Sequence, residues 1–212
     1  MELDPNLAEA HAARGTALMI ASRLAEAASA FEQALALDPN SFDAHNSYAQ
    51  FCVTRGDFER AAKHLMRALE IQPDDHQSPI FLQQVFQSLG QPEEAAKYGR
   101  LGLKRAEEAL RLHPEDSKPA QLGACVLAYL GERDRAKEWL ARALAIEPDD
   151  NVAQYNAACT YALLGESDRA IDLLETCLQQ VGSDFKLWFK NDSDLDPIRD
   201  HPRYHKLLEL AT

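Results

Sequence analysis

The chain has 212 residues, a formal net charge of −12 and no clustered Lys and Arg of the kind a phosphate backbone requires, which excludes nucleic acid as a partner. It contains no apolar run of the length needed to span a bilayer, and its first ten residues, MELDPNLAEA, lack the basic start and apolar core of a signal peptide. Ala, Leu, Glu, Gln and Arg dominate while aromatics make up only 8%, a usage that favours helix and a thin, two-layer object.

Five short phrases recur along the chain: Leu3 to Asn6, Leu37 to Asn40, Ile71 to Asp75, Leu112 to Asp116 and Ile146 to Asp150. Their prolines, Pro5, Pro39, Pro73, Pro114 and Pro148, are separated by 34, 34, 41 and 34 residues. A fixed period of this length marks a stacked repeat, in which each unit is too small to hold a core alone. Within each unit a first helix with a small residue near its middle leads to a turn, usually with Gly. A second helix then carries Ala, a large apolar residue and Ala or Cys.

In the first unit these positions are Gly15, Leu18, Ala27, Phe31 and Ala34, with Ser22 at the turn where the others have Gly. In the second they are Ala49, Cys52, Gly56, Ala61, Leu65 and Ala68. The third unit ends its first helix at Leu89-Gly90, in step with the others, so its seven extra residues fall in the second helix, Pro92 to Leu112. At 1.5 Å per residue that helix is about 30 Å long. Gly99 and Gly102 lie inside it, where they point to close packing against a neighbour. The fourth unit has Ala124, Leu127, Gly131, Ala136, Leu140 and Ala143; the fifth has Ala158, Tyr161, Gly165, Ala170, Leu174 and Cys177, closed by Gly182.

These residues resemble the tetratricopeptide-repeat (TPR) pattern from about residue 2 to residue 182. His11 and His45 depart from it, at a slot early in the first helix often filled by Trp or Leu. The resemblance implies an all-α, right-handed superhelical solenoid of antiparallel helix pairs. The units are 8–41, 42–75, 76–116, 117–150 and 151–182, and residues 183–212 form a C-terminal helical cap. In that tail, Asp200 reads as a helix N-cap, Pro202 as a first-turn residue, and Leu207, Leu208 and Leu210 as the apolar side of the last helix.

The tail and the Tyr155-to-Glu166 stretch before it also look like the C-terminal end of TPR regions in bacterial multidomain signalling proteins of cyclase, kinase or regulator type. Glu2-Leu3-Asp4-Pro5-Asn6 reads as the close of a preceding repeat, as in a piece of a longer protein.

The resemblance further implies that the first helices of successive units line a concave groove that takes a peptide or partner segment. Position by position this gives Glu9, Ala12, Thr16 and Met19; Asp43, Asn46, Gln50 and Val53; Gln77, Ile80, Gln84 and Gln87; Lys118, Gln121, Cys125 and Ala128; and Val152, Tyr155, Cys159 and Ala162. The carboxamides of Asn46, Gln50, Gln77, Gln84, Gln87 and Gln121 each offer donors and an acceptor to the backbone of an extended peptide. Lys118 adds a charge, and Tyr129 and Tyr155 with Val152 an apolar pocket. The alternative for the carboxamides is that they are polar helix formers on a wet face. The basic clamp by which some TPR proteins hold a terminal carboxylate would fall on Ala12, Thr16, Ser47, Gln77 and Phe81, none of them basic.

No phosphate-binding loop, nucleophile elbow or HExxH motif is present, so the chain reads as a binding module and not an enzyme, with no cofactor. His201 and His205 are spaced to share a face, but two ligands seldom hold a metal. Cys125 and Cys159 occupy the same slot in neighbouring units and read as small packing residues, as do Cys52 and Cys177. Four unpaired cysteines fit a reducing, cytoplasmic setting. Asp74-Asp75 and Asp149-Asp150 read as helix caps. A second function class is self-assembly, in which an apolar edge at Leu3, Leu7 and Leu18 joins two copies as a homodimer.

Overall fold

The computed structural model describes residues 7–181 and 186–210, and those residues are almost wholly helical. Five antiparallel hairpins follow one another: α1 (Ala8–Ile20) with α2 (Leu24–Leu37), α3 (Phe42–Thr54) with α4 (Phe58–Ile71), α5 (Gln77–Ser88) with α6 (Pro92–Leu112), α7 (Lys118–Tyr129) with α8 (Arg133–Ile146), and α9 (Asn151–Leu163) with α10 (Ser167–Val181). A short helix α11 (Lys186–Asn191), a 3-10 segment (Ser193–Ile198) and α12 (Pro202–Leu210) complete the chain. The stack is the right-handed solenoid expected. Pro5, Gly182, Leu3 and the phrase Glu2 to Asn6 lie outside the described residues, and so does the Leu210 side chain.

The hairpin turns share one device. Gly56, Gly90, Gly131 and Gly165 have φ of 72°, 68°, 83° and 76°, and Ser22 has φ of 56°. In each turn the next residue's amide reaches back to a carbonyl five residues earlier: Arg23 to Leu18, Asp57 to Cys52, Gln91 to Phe86, Glu132 to Leu127 and Glu166 to Tyr161, all at 2.8–2.9 Å. This satisfies carbonyls that the end of a helix would otherwise leave open. Glycine adopts the left-handed conformation without a Cβ clash, and Ser22 does so at a steric cost.

The acids read as caps bind amides at the starts of α5 and α9. The Asp150 carboxylate accepts from the Ala153 amide at 2.7 Å. The Asp75 carboxylate accepts from the Gln77 and Ser78 amides at 3.0 and 2.6 Å. α6 has the predicted bounds, and its glycines do permit close packing. A Cβ on Gly102 would lie 2.5 Å from Ile80 Cγ1 and 3.0 Å from the Ile80 nitrogen.

The tail differs in detail from the reading of its sequence. The stretch before Asp200 begins with α11 and continues as the 3-10 segment, and α12 is capped by His201, whose Nδ1 accepts from the Arg203 amide at 3.2 Å. Asp200 is exposed in the turn before it. Phe189, Leu195, Ile198, Tyr204 and Leu207 are buried together with Ile171, Leu174 and Cys177, so the tail covers the last hairpin. Full burial of one such side chain stabilises by about 1.5–3 kcal/mol.

At the other end, Leu7 is 48% exposed, but Leu18 is buried in the core beside Phe31. Leu18 therefore forms no part of an open edge. No helix among the described residues is long and apolar enough to cross a membrane.

Candidate partner-binding groove

The first helix of every hairpin turns one face inward, and the five inward faces enclose a cavity of about 590 Å³. Its wall takes Thr16 and Met19 from α1, Gln50 from α3, Gln77, Ile80 and Gln84 from α5, Lys118, Gln121 and Cys125 from α7, and Val152, Tyr155 and Cys159 from α9. Each of these stands at a groove position named from the sequence, because residues four apart on a helix share a face. Ile20, Phe81 and Leu122 add apolar area beside them.

The tail provides a further part of the wall. α11 packs against α3, and the 3-10 segment after it lies against α9 and α5, so Asp192 and Asp194 face the cavity. Asn191 Nδ2 donates to the Thr54 carbonyl at 2.8 Å. Gln87 Nε2 donates to the Ser193 carbonyl at 3.1 Å, and the Ser193 hydroxyl donates to the Gln84 carbonyl at 3.2 Å. Both oxygens of Asp192 are engaged. Oδ1 accepts from Gln84 Nε2 at 2.6 Å and from the Asp194 amide at 2.9 Å, and Oδ2 from the Tyr155 hydroxyl at 2.6 Å. The Cys159 thiol lies 3.7 Å from Oδ2.

Asp194 is held more loosely. Its Oδ2 meets Gln84 Nε2 at 3.4 Å, and its Oδ1 is buried without a hydrogen-bond partner. Burial disfavours the charged form of both carboxyls and raises their pKa. Asp194 is raised well above the ordinary carboxylate range because it also faces the Asp192 carboxylate and Asp196. Burial likewise pushes up the thiols of Cys125 and Cys159 and the Tyr155 hydroxyl, so these groups stay neutral donors.

The six carboxamides, Lys118, Tyr129 and Tyr155 put forward from the sequence fall into distinct places. Gln84, Gln87 and Tyr155 hold the tail. Gln121 is buried, donating to the Ser117 hydroxyl at 2.8 Å and to Glu147 at 3.2 Å while accepting from Asn156 at 3.2 Å. Asn46 is half-buried and accepts from the Ser78 hydroxyl at 3.2 Å. Tyr129, Asn46 and Gln87 stand off the cavity wall, and Lys118 is exposed at its margin. Among the described residues, Gln50 and Gln77 are the carboxamides of this set whose side chains make no hydrogen bond within the chain. Asp192, Asp194, Ile20, Phe81 and Leu122 were absent from the sequence-derived site. The acids sit in a turn-rich phrase whose burial nothing in its pattern reveals. His201 and His205 belong to no group of three or more metal-binding side chains among the described residues.

Tetratricopeptide-repeat profiles match residues 18–78, 121–150 and 152–182, together more than half of the chain. The chain belongs to the tetratricopeptide-repeat family. A thermophilic TPR protein from Thermus thermophilus aligns over 89% of this chain and 98% of its own, with 24% identity and a TM-score of 0.63. The type IV pilus biogenesis factor PilW aligns over 94% and 90%, with 20% identity and a TM-score of 0.57. PilF of Pseudomonas aeruginosa aligns over 94% and 88%, with 17% identity and a TM-score of 0.54. At these identities the likeness is one of fold. No curated protein sequence matches the chain. As a TPR protein it is a scaffold for protein–protein interaction.

Proposed function

We propose that this TPR chain captures a peptide or a short segment of a partner protein inside its concave groove, as the binding part of a larger bacterial signalling protein. The cavity carries this reading: its wall is supplied by the inward face of every hairpin and is largely apolar through Met19, Ile20, Ile80, Phe81, Leu122 and Val152. A mostly apolar concavity with a few polar groups is the usual form of a ligand site. Gln50 and Gln77 offer amide donors and acceptors to a peptide backbone. The signalling context rests on the sequence likeness of the tail alone.

The test is selection of binders from a phage-displayed library of linear peptides by the full chain, repeated with a Val152→Glu, Ile20→Glu variant that keeps its helical spectrum. Peptides bound by the parent and lost by the variant support the groove. Peptides bound equally by both place recognition elsewhere.

A second reading, self-association through α1, is favoured by the 48% and 50% exposure of Leu7 and Ile20. Sedimentation velocity across a hundredfold concentration range decides it, since a constant monomer mass removes this reading.

A further inference from the structure

Asp194 presents a buried carboxyl with one unmatched oxygen to the groove. The residue is 6% exposed, lines the cavity, and leaves Oδ1 without a partner. Buried polar atoms are nearly always hydrogen-bonded, and a lone one calls for a group that the molecule lacks. Its neighbour Asp192 is satisfied by neutral donors, the Gln84 amide, the Asp194 backbone amide and the Tyr155 hydroxyl. None of the described lysines and arginines forms an ion pair with either acid. The nearby Arg199 donates to the Asp192 backbone carbonyl, at 2.9 Å, and to the Asp196 carboxylate.

Other acids stand on the same wall. Glu147 and Asp150 also line the cavity, against Lys118 as the cationic residue of the wall. Around these acids the surface is apolar, so a cation entering the groove meets them at low dielectric, where charge attraction is strong.

We propose that Asp194, supported by Asp192, is a subsite for the ammonium or guanidinium group of a lysine or arginine side chain on the bound peptide, with the flanking apolar residues of that peptide resting on Ile80, Phe81, Leu122 and Val152. This rests on the groove reading given above and specifies its ligand. The charged head completes the coordination of Oδ1, and the aliphatic stem lies along the apolar wall, as such side chains commonly do. Arginine's flat fork offers several donors in a fixed plane, whereas lysine provides a single point of charge.

The experiment uses the full chain. Twelve-residue peptides selected by phage display are synthesised and titrated by fluorescence anisotropy against the parent and against Asp194→Asn, which keeps the volume and the contact to Gln84. Each peptide is also made with its basic residue replaced by citrulline or norleucine. The expected result is that selected peptides carry a Lys or Arg between apolar residues. Neutralising it should weaken binding to the parent about tenfold or more and change binding to Asp194→Asn by less than threefold.

Groove-binding peptides without a basic residue overturn the subsite and leave the groove reading intact. An equal loss on neutralisation in both proteins also overturns it. Failure of the library to yield any groove-dependent binder overturns both. The citrulline arm alters only the peptide, so a loss well below tenfold in the parent overturns the subsite even where Asp194→Asn is poorly folded.

Discussion

Gln84 Nε2 on α5 donates to Asp192 Oδ1 at 2.6 Å, joining residues 108 positions apart in the chain. The contact closes the C-terminal segment over the inner face of the third hairpin, and Tyr155 secures the same carboxylate from the fifth. One carboxylate thereby ties together two hairpins and the tail. Gln84→Ala removes a donor from a buried carboxyl, a change that costs about 1–3 kcal/mol. Because a repeat array can unfold in parts, a single global midpoint is a poor gauge of this loss. Hydrogen exchange is the better measurement. Protection at residues 189–198 should fall about tenfold or more in Gln84→Ala while the α1–α4 amides are unchanged.

This link also bears on how much of the site was legible in the sequence. The groove positions came from the repeat register, and Gln50, Ile80, Gln121, Cys125 and Val152 line the cavity as that register required, because helical spacing fixes which residues share a face. What Gln84 and Gln87 bind was not legible. A contact spanning 108 residues depends on the accumulated rotation between hairpins, and no local pattern encodes that angle. Burial of Asp192 and Asp194 was hidden for the same reason, since acids in a turn ordinarily face water. The α6 bounds and the role of its glycines were legible, because both follow from local spacing and the absence of a side chain.

Asp194 predicts an uncommon sign of pH dependence. Its folded pKa is raised by burial and by the facing Asp192 and Asp196 carboxylates, while an unfolded aspartate titrates near 3.9. Below the unfolded pKa the group is neutral in both states and imposes no penalty. As pH rises through the folded pKa, ionisation destabilises the fold. Asp194→Asn should therefore be more stable than the parent at pH 7.5, by about 1–3 kcal/mol, the scale for an unsatisfied buried polar group. The gain should shrink toward zero near pH 4. Thermal melts of both proteins at the two pH values check this.

His45 and His64 form a pair with the opposite sign. His45 Nε2 lies 3.1 Å from the Pro39 carbonyl, which only accepts, so that nitrogen carries the proton. Its Nδ1 is then the acceptor for His64 Nδ1 at 3.0 Å. Burial lowers both pKa values, that of His64 to about 4, with His45 and Arg60 adding to the effect. Both rings are neutral in the fold. An unfolded histidine takes up a proton near pH 6.5, so this stabilisation is complete above that value and is lost as pH falls toward 4. His64 is half-buried, so the loss is on the order of 1 kcal/mol after allowance for solvent screening. The difference in melting temperature between pH 7 and pH 4 should be smaller in His64→Gln than in the parent.

Two substitutions involving glycine should move stability in opposite directions. Ser22 occupies the left-handed slot that glycine fills in the other four turns, with φ of 56°. Ser22→Gly relieves the Cβ clash and loses part of that gain to chain entropy, for a net stabilisation of about 0.5–1 kcal/mol. Gly102→Ala gains about 1 kcal/mol of helix propensity. Against that, the new methyl would lie 2.5 Å from Ile80 Cγ1, 3.0 Å from the Ile80 nitrogen and 3.4 Å from the His76 carbonyl oxygen. Backbone atoms on a packed helix cannot retreat cheaply, and overpacking costs about 1–3 kcal/mol. With backbone among the obstructing atoms the cost lies toward the upper end, and a net loss of about 1–2 kcal/mol follows. Ile80 also lines the groove, so the methyl that pushes α6 away from α5 drives a wall residue toward the cavity. Gly102→Ala should thus lower the melting temperature and weaken every groove-bound peptide together. Ser22→Gly should raise the melting temperature and leave peptide affinity unchanged. A Gly102→Ala variant that melts at or above the parent would show that α5 and α6 are less tightly opposed than the Ile80 contact requires.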